Sequence, residues 1–252
     1  TLQTLEPGTA QDVVNKMAGV CCENDWWIYL SEAESKASEA RGNGEELDAG
    51  AVFLEILDAE GLRFDINEYF QALSHLMLED GFILDYVYFA PGGGDGAPYL
   101  YAIPKNEPKP ESFSEYKKTV ADIYLDHILV DGTAEGFFEL AVLNVMGEQF
   151  YLGWHFAYND WKVVCNQESL QEIIETAKAR KSPLTDSQVE AALKLNVTPR
   201  IKFDGDKVQV WLLLFTKYGG FYEREFTINR DFPHIMTEED EQLVPYDCGD
   251  IY

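Results

Sequence analysis

The chain has 252 residues, 46% apolar, 25% charged and 13% aromatic, and its 45 acidic against 19 basic side chains leave a net charge of -26. Such a composition excludes global disorder, and a chain of this size buries a full core without a metal or a disulfide framework. The charge excludes a nucleic-acid backbone and an anionic membrane as direct partners, since both are bound through Lys and Arg, whereas a basic protein would be drawn in.

Four cysteines, two of them adjacent at Cys21 and Cys22, show neither the C-x-x-C spacing of zinc and redox sites nor the density of a disulfide scaffold. All four read as thiols. The longest apolar run, Val210 to Phe215, is far short of a membrane span. The expected location is the cytoplasm, although a removed leader would leave no trace.

Along the chain, Ser31 to Asp48 is rich in Glu, Ala, Ser and Gly and reads as a solvated helix with a Gly-rich end. Asp65 and Glu68 form a capping box, flanked by Phe64 and Tyr69 as a hydrophobic staple. Ile66, Tyr69, Phe70, Leu73, Leu76 and Met77 then make one apolar stripe at helical spacing. Phe82 to Ala90 and Tyr99 to Ile103 are hairpin strands around the loop Gly92 to Gly96. That loop lacks the Gly-Lys-Ser/Thr ending of a phosphate cradle and is followed by a strand, so it reads as a flexible turn.

Pro104 to Ser112 carries three prolines and several charges and reads as a stiff extended linker. Residues 107–112 then divide an N-terminal α+β region, 1–106, from a C-terminal one, 113–252, unless the segment crosses the surface of one composite domain. Further helices are expected at about Ser114 to Val130 and at Gln167 to Arg180 behind an Asn166 cap. A third follows the Thr185/Gln188 capping box, with Leu184 and Val189 as its staple.

The stretch GWHFAYNDWKVVC, residues 153–165, sets His155 and Cys165 among large aromatics. Phe150, Leu152, Trp154 and Phe156 alternate with Tyr151, Gly153 and His155, which predicts a strand over Gln149 to Ala157. Asn159-Asp160 would turn it onto Trp161 to Cys165, and Gly147-Glu148 would turn Phe138 to Val145 onto the same sheet. In that register Cys165 lies on the Trp154 face and His155 on the reverse, which rules out a Cys–His nucleophile pair. Trp154 and Trp161 belong to the core in this reading. Tyr151 and His155 share a face and form a candidate site for a small polar ligand.

Of the other histidines, His75 should face solvent, His127 lies on the apolar stripe of its helix, and His234 follows Pro233 in a loop. Without H-E-x-x-H or C-x-x-C, no metal site is expected and no cofactor is implied.

Val208 to Phe215 and Phe221 to Ile228 form a hairpin around Gly219-Gly220, with another turn at Asp204-Gly205. The chain closes on TEEDEQLVPYDCGDIY. Glu238, Glu239, Asp240 and Glu241, with Tyr246 among further acids, are a candidate contact surface for a basic partner, the alternative being a solvated tail. Like charge around Cys248 disfavours its thiolate.

Helix followed by antiparallel strands recurs along the chain. The expected fold class is therefore α+β, with antiparallel sheets of hairpins and a meander packed by amphipathic helices. No complete catalytic constellation is present, so the expected function is a non-enzymatic protein-interaction module that docks a cationic partner protein. The alternatives are a hydrolase using carboxylates distant in sequence, marked by two acids with raised pKa converging in an apolar cleft, and a small-ligand binding protein.

Overall fold

The computed structural model of the chain describes residues 1–20, 25–120, 123–159 and 161–249. Cys21, Cys22, Asp160 and Asp250 lie outside them. In chain order the elements are β1 (Leu2–Thr4), α1 (Pro7–Val20), α2 (Trp26–Gly42), α3 (Ala49–Glu60), α4 (Tyr69–Ala72), β2 (Leu76–Leu78), β3 (Phe82–Phe89), β4 (Ala97–Pro104), α5 (Phe113–Thr119), β5 (Ile128–Val130), α6 (Ala134–Met146), β6 (Lys162–Val164), α7 (Gln167–Lys178), α8 (Asp186–Ala192), β7 (Arg200–Asp204), β8 (Lys207–Thr216), β9 (Gly220–Asn229) and β10 (Met236–Pro245).

The fold is α+β, and its strands pair antiparallel throughout. The main sheet runs β1-β7-β8-β9-β10, with β6 joining β8 beyond the stretch that β7 occupies; β2-β5 and β3-β4 form two small sheets. The β8–β9 hairpin forms over the expected strands, Val208 opposite Ile228 and Phe215 opposite Phe221, but Thr216 pairs with Gly220, so its loop is residues 217–219 and not the two-residue turn expected at Gly219-Gly220. The β3–β4 hairpin and the turn at Gly205 are also as the sequence predicts. Both halves of the Thr185/Gln188 capping box are made, and the Asn166 side chain caps α7.

Local grammar fails where a distant partner intervenes. Asp65 does cap a helical turn, and Phe64 does pack on Tyr69 at 5.1 Å between rings. The helix nevertheless stops at α4, because Leu76–Leu78 pairs with Ile128–Val130 and Met77 is left exposed. The same pairing takes Ile128–Val130 out of the helix expected from Ser114, and among the described residues of that range α5 and a 3-10 turn at Tyr124–His127 form. α2 begins earlier than expected, at Trp26, and buries Leu30, Ala33 and Ala37, so it is solvated on one side only.

Phe138 to Val145, expected as a strand, is the heart of α6, buried on nearly every side and started by the Thr133 side chain, which accepts from Gly136 N at 3.0 Å. An apolar run without a polar stripe fits a fully buried helix as well as a buried strand, and the cap and the length decide for helix.

The largest apolar cluster draws on both sides of residues 107–112, with Leu57, Leu73 and Tyr86 before them and Leu140, Val210 and Phe226 after. Within the segment Pro110 is buried, and the Lys109 ammonium reaches Asp85 on β3 at 2.6 Å. A second cluster packs α7 and α8 against β8, β9 and Tyr246. Among the described residues no helix is long and apolar enough to cross a membrane.

Candidate functional site

Two stretches that stand apart in the sequence, the glycine loop 92–96 and the segment from Gly153, are fastened to one another. Gly153 N donates to Gly96 O at 2.7 Å and Trp154 N to Gly94 O at 3.1 Å. Asp95 completes the junction: Oδ1 accepts from His155 N at 2.9 Å and Gly96 N at 3.1 Å, while Oδ2 lies 2.8 Å from His155 Nδ1. A carboxylate only accepts, so Nδ1 carries the proton. Glu34 of α2 holds Gly94 N at 3.0 Å from both oxygens. The approach requires glycine, since a Cβ on Gly153 would fall 2.3 Å from Gly96 N.

This docking overturns the strand expected over Gln149 to Ala157. Phe156–Asn159 is a turn of 3-10 helix, and Lys162–Val164 pairs with β8 instead of folding back on Gln149 to Ala157. Tyr151 and His155 do not share a face. Tyr151 is buried at a backbone φ of 48°, a region that non-glycine residues rarely occupy. Its hydroxyl donates to Leu62 O at 2.8 Å and accepts from Phe64 N at 3.1 Å, and its carbonyl accepts from the Tyr88 hydroxyl at 2.6 Å. His155 stands outside with 62% of its side chain exposed. Trp154, assigned to the core by alternation, is 54% exposed and lies parallel to the His155 ring. Cys165 is buried, with its thiol pushed up to about 12 by desolvation, which leaves it inert as a nucleophile.

The acidic run is no tail. It forms β10, an edge strand paired to β9 with Glu238 opposite Phe226, Glu239 opposite Glu225, Asp240 opposite Arg224 and Glu241 opposite Glu223. Alternation sends the four acids to two sides. On the inner side Arg224, with 9% of its side chain exposed, donates Nε and Nη2 to Asp240 at 2.6 and 2.7 Å and Nη1 to Glu238 at 3.2 Å. The guanidinium also lies 4.8 Å over the Trp161 ring. These carboxylates hold Arg224 above its ordinary range, against the opposing effect of burial.

On the outer side Glu225 accepts from Gln209 Nε2 at 2.7 Å and Trp211 Nε1 at 3.0 Å, and Glu223 pairs with Arg200. Glu239 and Glu241 are exposed and make no ion pair or side-chain hydrogen bond among the described residues. Tyr246, expected beside these acids as a contact residue, is buried in the second cluster, where its hydroxyl donates to Ala177 O at 3.1 Å. An aromatic ring at the end of an edge strand has more to gain under α7 than in water.

A third cluster has its titration shifted in both directions. His75 Nδ1 lies 2.7 Å from Asp131 Oδ2, and Asp131 Oδ1 accepts from the Thr133 hydroxyl at 2.6 Å. His75 N donates to the buried Glu139 at 2.8 Å. The bond to Asp131 raises His75; hydrogen bonds from Thr133 and His75 lower Asp131 against its desolvation; burial raises Glu139. Glu148 is raised by burial as well, yet it and Glu139 each commit an oxygen to a main-chain N–H, Glu148 to that of Leu100. Among the described residues no three His, Cys, Asp or Glu side chains converge as a metal would require.

Sequence reasoning missed Asp95 and Arg224 as organising residues, whereas Trp161, assigned to the core, does pack against the largest apolar cluster. Arg224 left a signal, a lone cation between Glu223 and Glu225 on an alternating strand. Asp95 left none, because its partners lie about sixty residues away. Comparison of the chain with models of known protein families, with curated proteins and with solved structures returned no match.

Proposed function

We propose that this chain is a protein-interaction module that docks a cationic partner, taking a basic extended segment along β10. The observation that carries the reading is the outer side of that edge strand. Glu239 and Glu241 sit directly opposite Glu225 and Glu223, a cross-strand arrangement that destabilises a sheet, and although Arg200 pairs with Glu223, neither Glu239 nor Glu241 has an ion pair of its own among the described residues. Local penalties of this kind tend to persist where function needs them. A strand adding to β10 would pair with its outward main-chain groups, and Lys or Arg at every second position would neutralise the two glutamates. Acids on an edge also discourage sheet-to-sheet aggregation, and the test must separate the two roles.

The test is titration of the full chain with an alternating Lys-Val peptide, beside the same peptide carrying proline at alternate positions. Docking predicts saturable binding of the first only, weakened by salt, and about tenfold weaker for Glu239→Lys/Glu241→Lys. Equal binding of both peptides means charge attraction alone and ends the proposal.

A further inference from the structure

We propose that a cavity beside Tyr151 binds a small planar organic anion, an arene carboxylate with a second oxygen substituent at its inner end. The site is separate from β10 and does not depend on the docking reading. Its volume is about 380 Å³, and its walls include Met17, Trp26, Tyr69, Phe150, Tyr151 and Trp161. That size falls within the range of small-molecule sites, about 300–1,000 Å³, and a lining of apolar and aromatic side chains with few polar groups is their usual composition.

The walls are held from behind. Tyr151 is pinned by its two main-chain hydrogen bonds, and its ring meets Trp26 at 5.7 Å. Trp161 rests edge-on against Tyr222 at 5.3 Å, with Arg224 on its face. Tyr69 is wedged against Phe64. Rings fixed in this way lose little freedom when a flat ligand slides between them.

Two polar features select the ligand. Tyr69 is 3% exposed, and its hydroxyl makes no hydrogen bond among the described residues. Buried tyrosine hydroxyls nearly always have a partner, so this one calls for an oxygen supplied from the cavity. Burial alone pushes the Tyr69 phenol far above its ordinary range, which leaves it a neutral donor. Of the two lysines that line the cavity, Lys217 is already engaged, its ammonium donating to Ala157 O at 2.9 Å, while Lys162 is exposed and has no ion pair among the described residues. In a chain of charge -26 an anion is repelled at long range and is held only where a cation such as Lys162 meets an apolar slot. A phosphate or sulfate would gain nothing from the aromatic walls, whereas an arene carboxylate uses the walls and Lys162 together.

Calorimetric titration of the full chain with 6-hydroxy-2-naphthoate, 2-naphthoate and 2-naphthol tests the assignment. The expected result is saturable one-to-one binding, tightest for 6-hydroxy-2-naphthoate. Tyr69→Phe should erase the advantage of the hydroxyl, about five- to tenfold, and leave 2-naphthoate unchanged. Lys162→Glu, a surface change, should weaken both carboxylates about tenfold and spare 2-naphthol. Near-ultraviolet circular dichroism of each variant checks that the fold is kept. Absence of saturable binding to the wild-type chain, or binding indifferent to both variants, overturns the proposal.

Discussion

The two sides of β10 carry the same residue types and meet opposite circumstances. Asp240 and Glu238 turn inward and together hold a nearly buried guanidinium, whereas Glu239 and Glu241 turn outward to face other acids. One residue of offset separates a charge the fold depends on from a charge it merely tolerates. The lesson is that an acidic cluster in a sequence is not one object: a strand divides it, and only the residues across the sheet assign each carboxylate its energy.

The largest effect should come from breaking the inner side. Asp240→Ala leaves Arg224 buried with only Glu238, and the expected loss is about 2 kcal/mol, between the values for exposed and buried pairs because Asp240 is itself about a third exposed. Glu241→Ala, one residue along, should stay within about 0.5 kcal/mol of the wild type. Urea unfolding of the two variants side by side measures the contrast, and equal losses would dissolve it.

Tyr151 sharpens the same distinction for a neutral group. Tyr151→Phe strands the Leu62 carbonyl and the Phe64 amide inside the protein, with an expected loss of about 1–2 kcal/mol in urea unfolding. A neutral variant would mean that the hydroxyl is not held as its distances imply.

A pH series tests the His75 corner, a further set of held charges. The folded value of His75 is raised, so its contribution is fully present below its ordinary value of about 6.5 and is lost as pH rises through the folded value. Glu139, also raised, acts in the same direction over a lower window. Asp131 is lowered, so its contribution is present above its ordinary range and lost as pH falls through the folded value. Unfolding midpoints at about pH 6 and about pH 8 should therefore fall for the wild type and fall less for His75→Gln. Identical slopes would remove His75 from the account.

The smallest effect is a gain. Glu239→Lys places a cation opposite Glu225, and Glu241→Lys one opposite Glu223. Each should add about 0.2–1 kcal/mol to stability, read from urea midpoints, while weakening the binding of a basic strand. A loss of stability would show that the outer acids are held after all.

How much of this was legible in the sequence follows the distance over which each feature is decided. The capping box at Thr185, the cap at Asn166, the turn at Gly205 and the extents of β8 and β9 depend on residues close along the chain, and composition with periodicity was enough for them and for the α+β class. The candidate residues were legible only as types. The sequence could single out Glu238 to Glu241, Tyr151 and His155, but not that Arg224 would claim two of the acids, that Tyr151 would be buried, or that His155 would stand on Asp95.

The pairing of β2 with β5, the helix over Phe138 to Val145, the capture of Gly153 by the glycine loop and the cavity around Tyr69 were likewise decided by tertiary structure. The physical reason is common to all of them. Alternation and helical spacing state only that one side of a segment prefers to be dry, while the competing partners for its main-chain groups lie tens of residues away, and the free energy of those distant contacts outweighs local propensity.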